Sequence, residues 1–221
     1  MQRRNDKMYV KIRHLTKTIK RKVVLRDVNA EFERGNIYGI VGPNGSGKTM
    51  LLRAICGFIR PDNGTVSIDG KPVEFNKKLP ESVGVIIENP GFIPSQSAME
   101  NLRYLADINH AFDQDEIMRL LDLFGLRNHA QEQVRSYSLG MRQKLAIVQA
   151  LMEHQPLILL DEPTNGLDEH SVSVFLEEMK RQRDMGRTVL IASHHSDELS
   201  QIADHLYLMS DGVLSSSDAD C

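Results

Sequence analysis

The chain of 221 residues has no tryptophan, two cysteines, an aromatic fraction of 5% and no apolar run that approaches the roughly 18 residues of a membrane span. Each shortage excludes something. Cys56 and Cys221 are too distant in sequence for a disulfide framework or a zinc-ligand spacing, which points to a reduced, cytoplasmic setting. Cys56 lies in an apolar stretch that suits a small buried thiol. Met1 to Lys7 contains no apolar segment that could serve as a signal peptide, so any membrane role has to come through a partner. Lys and Arg number 27 against 30 Asp and Glu, a formal charge of −3, and no nucleic-acid partner is expected of such a chain. What is present is ordinary for a globular domain, 41% hydrophobic and 26% charged, and excludes disordered, collagen-like and coiled-coil chains.

The small net charge hides an imbalance along the chain. Met1 to Arg26 holds ten Lys or Arg against Asp6 alone, while Thr188 to Cys221 holds six Asp or Glu and neither Lys nor Arg. Two oppositely charged solvated faces are the ordinary consequence of such runs.

Met8, Val10 and Ile12 alternate with their neighbours, as do Val28, Ala30 and Phe32, and this period of two predicts half-buried antiparallel strands. Ile37 to Val41 is an apolar run that feeds a Gly-rich turn and then a helical stretch with Leu51, Leu52 and Ile55. Thr65–Ile68 and Val83–Ile87 read as further strands, closed by Asp69-Gly70 and Asn89-Pro90-Gly91. From Ser95 to Gln155 the periodicity turns helical. Ile117, Leu120, Leu121 and Phe124 follow an Asp113/Glu116 capping box and precede Gly125 as a stop; Met141, Leu145, Val148 and Met152 form a second stripe. After Pro156, strands Leu157–Leu160, Thr188–Ala192 and Leu206–Met209 alternate with helices, the first of which carries Val172, Phe175, Leu176 and Met179. The alternation predicts an α/β fold with a mainly parallel sheet.

Gly42-Pro43-Asn44-Gly45-Ser46-Gly47-Lys48-Thr49 matches the P-loop pattern and sits between a predicted strand and a predicted helix. Glycines let successive backbone N–H groups converge on one point, and the helix that follows aims its positive end there. Lys48 can reach phosphate oxygens, and the Thr49 hydroxyl can ligate Mg²⁺. Leu157-Ile158-Leu159-Leu160 then runs into Asp161-Glu162, a buried strand that ends in adjacent carboxylates. At a phosphate site the two can divide the work, with Asp161 holding Mg²⁺ and Glu162 polarising the attacking water as general base.

The P-loop, Tyr137-Ser138-Leu139-Gly140-Met141, Leu-Leu-Asp-Glu-Pro, Asn165-Gly166-Leu167-Asp168 and Ala192-Ser193-His194, in this order, resemble the ATP-binding cassette of ABC transporters over essentially the whole chain. The resemblance implies a P-loop NTPase fold with an N-terminal antiparallel β-subdomain and an inserted α-helical subdomain. It implies one domain over residues 1–221, with 1–90 and 156–221 as the catalytic core and 91–155 as the helical part that carries the signature. It further implies a Mg²⁺-dependent ATPase that closes head to tail with a second nucleotide-binding subunit, identical or not, each ATP lying between one P-loop and the other copy's signature. Ser138 and Gly140 would then face phosphate, although Ser138 also reads simply as the N-cap of its helix. His194 matches the switch histidine beside the γ-phosphate, with His195 as bystander. Asp168 matches the loop that spans the dimer interface and also reads as a helix cap.

Three positions depart from the commonest family pattern. Glu88 stands where a glutamine is usual; it still offers oxygen to Mg²⁺ or water and adds negative charge, and it is read as a working replacement. Ile19 stands where an aromatic usually stacks on adenine, so apolar contact from Ile19 and Val24 replaces a stack worth about 1–3 kcal/mol. Leu139 and Met141 replace small or polar residues in the signature. Lys17, Lys20, Arg21 and Lys22 fall near the adenine end, where a basic rim would attract nucleotide. The resemblance implies export, powered through a separate membrane-spanning permease that docks near Glu88 and the region from Pro90 to Leu126, with the chain peripheral on the inner face of the membrane. The alternative is a non-transport ABC ATPase acting in translation or DNA repair, whose members carry two cassettes or a long coiled coil between P-loop and signature.

Overall fold

Two twelve-residue strands, β1 (Met8–Ile19) and β2 (Lys22–Glu33), form the antiparallel hairpin that the alternating pattern predicts, with Val10, Ile12, Leu15, Leu25, Val28 and Phe32 buried along it. The computed structural model describes residues 8–75, 77–79, 82–88 and 91–216. The predicted turn at Asn89-Pro90, the segment Met1 to Lys7, and Asp218, Asp220 and Cys221 lie outside the described residues. The chain continues through β3 (Ile37–Val41), α1 (Lys48–Ile55), β4 (Asn63–Ile68), β5 (Lys71–Pro72) and β6 (Val83–Ile86). Three helices follow, α2 (Ala98–Ile108), α3 (Gln114–Leu123) and α4 (Leu139–Leu151), before β7 (Leu157–Asp161), α5 (Glu169–Asp184), β8 (Thr188–Ser193), α6 (Ser196–Leu199), β9 (His205–Ser210) and β10 (Val213–Ser216).

The strands make two sheets. One is antiparallel in the order β2-β1-β4-β5; the other runs β10-β9-β3-β8-β7-β6 and is parallel from β9 to β6. The β7 run Leu157 to Leu160 is apolar at every position because both faces of the strand are covered. Leu157 and Leu159 pack with α1 and the antiparallel sheet, and Ile158 and Leu160 pack with the helices on the other side. Leu190 and Ala192 on β8 take the first face, and Val189 and Ile191 the second. Helix α1 is thereby held between two sheets, with Leu51, Leu52 and Ile55 fully buried.

Strand β10 has no counterpart in the sequence reading. Its Val213-Leu214-Ser215-Ser216 run carries too little apolar pattern, and the usable signal is the two-residue Asp211-Gly212 turn, both residues at positive φ, that joins it antiparallel to β9. The capping box at Asp113 and Glu116 closes only halfway. Asp113 accepts from Glu116 N, but the Glu116 carboxylate turns to Arg119 instead of returning to the cap. A complete box occurs one helix earlier, where Ser97 and Glu100 satisfy each other's backbone N–H at the start of α2.

Gly84 marks a close contact between β6 and α4. A Cβ there would lie 2.0 Å from the Ala150 carbonyl oxygen of α4, a backbone atom that cannot step aside alone. Gly84→Ala is expected to cost about 1–3 kcal/mol by overpacking, read as a lower urea midpoint with an unchanged m-value.

Candidate active site

The loop between β3 and α1 is built for an anion. Gly47 has φ 116, and a Cβ there would come within 2.6 Å of the Val24 carbonyl oxygen, so only glycine fits where the loop passes β2. No side chain caps α1, which leaves its first N–H groups aimed at the loop's concavity. A peptide of the β9–β10 turn stitches this loop to β2, since Gly212 N donates to Ser46 O and Arg26 N donates to Gly212 O, both at 2.8 Å. The Ser46 hydroxyl is buried and has no hydrogen-bond partner. The Lys48 ammonium, on a side chain only 5% exposed, donates to Gly42 O at 2.6 Å and Pro43 O at 3.3 Å and lies 3.4 Å from a Glu162 carboxylate oxygen.

Strand β7 delivers the two carboxylates to the same place. Thr49 Oγ1 donates to Asp161 Oδ2 at 2.7 Å, while Asp161 Oδ1 is buried and has no partner. Burial pushes the Asp161 carboxyl above the usual range; Glu162 and Glu88 add to the rise, and the Thr49 bond and Lys48 oppose it. Glu162 leaves the strand at φ 49, fixed by its N–H to Ala192 O at 2.8 Å. Its second carboxylate oxygen lies 2.8 Å from His194 Nδ1 and 3.4 Å from Ser193 Oγ.

These groups frame a cleft of about 400 Å³ lined by Lys22 and Val24, the P-loop residues Asn44, Gly45, Gly47, Lys48 and Thr49, and Met50, Glu88 and Glu162. A larger cavity of about 530 Å³, between 60–64 and 73–75, contains none of these groups. An orphaned buried carboxylate oxygen beside a hydroxyl and a second carboxylate is a donor set of hard oxygens, and it fits Mg²⁺. Among the described residues no three His, Cys, Asp or Glu converge as a metal cage.

Several sequence-predicted residues do not line the cleft. Ile19 is exposed at the tip of the β1–β2 hairpin; of the predicted basic rim Lys22 enters the lining, whereas Lys17 pairs with Asp62 at 2.9 Å. Ser138 is an exposed N-cap of α4 that accepts from Met141 N at 3.2 Å, and Gly140 lies in the same first turn. Asp168 caps α5 through Ser171, and these bonds hold its carboxyl well below the usual range, at about 2. Cys56 is buried as predicted, and burial pushes its thiol up to about 12. Glu88, at φ 64, carries a charge that the sequence could not show to be paired. Arg53 Nη2 lies 2.5 Å from it, one helical turn beyond Thr49, a spacing of four that is the signal for Arg53.

The Asp161 geometry has a measurable consequence. The folded state holds the Asp161 proton to higher pH than the unfolded chain does, so stability falls as pH rises from the unfolded value of about 4 through the folded one. Asp161→Asn keeps an acceptor for Thr49 without the buried charge. It is expected to raise the thermal midpoint of the nucleotide-free protein at pH 7 and to change it less at pH 4, while weakening Mg²⁺-dependent nucleotide binding.

Comparison with known proteins gives the site a context. Residues 25–165 match the family model described as ABC transporter. An uncharacterized ABC transporter ATP-binding protein of Bacillus subtilis, YybJ, is 39% identical over 209 residues, which span 95% of this chain and 96% of that protein. The bacitracin transport ATP-binding protein BcrA of Bacillus licheniformis is 35% identical over 211 residues, 93% of this chain and 68% of that one. Among solved structures, the dimeric post-hydrolysis state of the ATP-binding cassette MJ0796 bound to ADP and phosphate superposes with a TM-score of 0.85 at 25% identity, covering 93% of this chain and 96% of that one.

Proposed function

Because the chain belongs to the ABC transporter family and is an ATP-hydrolysing, ATP-binding subunit of it, we propose that it powers export through a separately encoded membrane-spanning permease, closing with a second nucleotide-binding subunit on two ATP molecules. No helix among the described residues is long and apolar enough to cross a membrane, and in this reading the permease holds the chain to the inner face of the membrane. The likeness to a protein named for bacitracin transport supports a transport role. Between Thr49 and Tyr137 the described residues hold the rest of α1, α2, α3, two single 3-10 turns and short strands, with no long coiled coil among them, and this supports transport over the repair reading. We take residues 91–155 as the helical subdomain and 1–90 with 156–221 as the catalytic core.

The observation that carries the catalytic part is the placement of one carboxylate, Glu162, between the Lys48 ammonium at 3.4 Å and the His194 ring at 2.8 Å. In the proposed cycle Lys48 exchanges the carbonyls of Gly42 and Pro43 for β- and γ-phosphate oxygens, while the N–H groups that open α1 take the remaining phosphate charge. Thr49, Asp161 and Glu88 would hold Mg²⁺, which would supply positive charge to offset that of the phosphates. Glu162 accepts the proton of the attacking water, and His194 fixes that carboxylate through Nδ1. Ser138, exposed at the start of α4, and the half-buried Gly140 beside it serve the nucleotide held by the second subunit's P-loop, and Asp168 lies at the junction.

The cleft lining contains no aromatic side chain, and Val24, Met50 and Lys22 are left to meet the base. Without a stack worth about 1–3 kcal/mol, ATP and GTP are expected to inhibit each other's turnover with similar constants. A strong preference for ATP would show that the base is read elsewhere. The coupling itself is tested by co-expression with the candidate permease, recognised by several spans of about 20 apolar residues. Copurification and turnover that responds to the permease in lipid are expected; independent behaviour of the two proteins would overturn the transport reading.

A further inference from the structure

The signature helix reaches the catalytic loop through one side chain that the proposed cycle leaves unused. Gln143, half-buried on α4, donates from Nε2 to the Pro163 carbonyl at 2.8 Å and lies 3.4 Å from the Glu162 carbonyl. Both partners are acceptors, so the amide nitrogen must face them. The peptide that follows Glu162 ends in a proline nitrogen and has no N–H; its carbonyl is therefore its only hydrogen-bonding handle. Asn165 N reaches that carbonyl from within the loop at 3.3 Å, and Gln143 is the group that reaches it from another element.

This anchoring falls where the backbone needs it. Glu162 sits at φ 49, a conformation that costs a non-glycine residue free energy and persists only where the surroundings over-determine it. Its N–H is fixed by β8 through Ala192 O, and the two successive carbonyls beyond it are fixed by α4 through Gln143. The rest of the first two turns of α4 lies along the same loop. A Cβ on Gly140 would approach Gly166 O to 2.9 Å, and Lys144 Nζ lies 3.4 Å from Asp168 Oδ2. Displacement of α4 would thus pull on the backbone of the proposed base.

We propose that Gln143 is a positioning residue for the hydrolytic step: it holds the Glu162–Pro163 backbone so that the Glu162 carboxylate meets the attacking water, and it makes that step depend on where α4 sits. The proposal rests on the reading of Glu162 as general base. Gln143→Met has the same length and no donor, Gln143→Glu sets a carboxylate against two carbonyl oxygens, and Gln143→Lys restores a donor. Misplacement of a reacting group by about 1 Å typically costs up to about 100-fold, so Gln143→Met and Gln143→Glu are expected to lower kcat by about 10- to 100-fold with KM for ATP little changed. Gln143→Lys is expected to recover part of the loss.

The experiment is a double-mutant cycle in the full chain with Glu162→Gln, reading kcat, KM and thermal midpoint. Because Gln143 acts through Glu162, Gln143→Met should slow the Glu162→Gln variant no further. Unaltered kcat in Gln143→Met beside a slow Glu162→Gln overturns this proposal and leaves the base assignment standing. Losses that multiply, or that track the thermal midpoint with no rescue by Lys, also overturn it. Wild-type turnover in Glu162→Gln overturns both. Should Gln143→Met not fold, Gln143→Glu takes its place in the cycle.

Discussion

Glu162→Gln is expected to slow ATP hydrolysis by a factor on the order of 10²–10⁴, the usual worth of a positioned general base, while the variant still binds ATP. The substitution is nearly isosteric. The amide can still meet His194 and Lys48, and the backbone N–H to Ala192 O that fixes Glu162 does not involve the side chain. What disappears is the ability to take a proton. Removing the Glu162 charge, one of the two carboxylates that repel the buried Asp161, also lessens that repulsion, so nucleotide affinity should hold or rise. Slow turnover with retained nucleotide predicts that the closed two-copy state accumulates, which size-exclusion chromatography with ATP would detect. Wild-type hydrolysis would remove Glu162 from the chemistry.

Lys48→Ala should fail differently, losing binding and chemistry together. The Lys48 ammonium is buried and bonded to the loop's own carbonyls, so it is already inside the space where phosphate is proposed to lie. A charge-assisted hydrogen bond contributes about 1.5–3 kcal/mol, which corresponds to a weakening of ATP binding by roughly 10- to 150-fold. Donors aimed at charge that develops in the transition state are worth about 10²–10³ in turnover, and the same ammonium would also serve there. Calorimetric titration with ATP separates the two variants: Glu162→Gln keeps the binding heat, and Lys48→Ala loses it. Near wild-type affinity in Lys48→Ala would mean that the N–H groups of α1 carry the phosphate alone.

The contrast between what could and could not be read from the amino acids is physical. Local pattern carried the hairpin at Met8 to Glu33, the strand–loop–helix of the P-loop, and the run Leu157 to Leu160, because burial on both faces writes itself into consecutive residues. Groups that meet only after the chain has folded were not legible. The spacing of four from Thr49 puts Arg53 on the same helix face, but nothing near Glu88 announces that Arg53 reaches it, and nothing near Gln143 announces that it reaches Pro163, since each pair is joined by strands and helices whose packing no window of sequence contains. Glu116 offers the opposite lesson. Its local motif was sound, but Arg119, with Glu178 of α5 on its other side, claimed the carboxylate instead.

The peptide at Gly212 sets an order of events. A ribosome delivers Ser46 and Arg26 long before it delivers the β9–β10 turn that bonds to both. Contacts of such sequence separation form late in folding, because loop closure must precede any gain from them. The two hydrogen bonds that tie the phosphate loop to β2 through Gly212 can therefore form only once the β9–β10 turn has been made. Chains that still lack this turn lack that tie, and ATP that binds the folded molecule stabilises it by mass action.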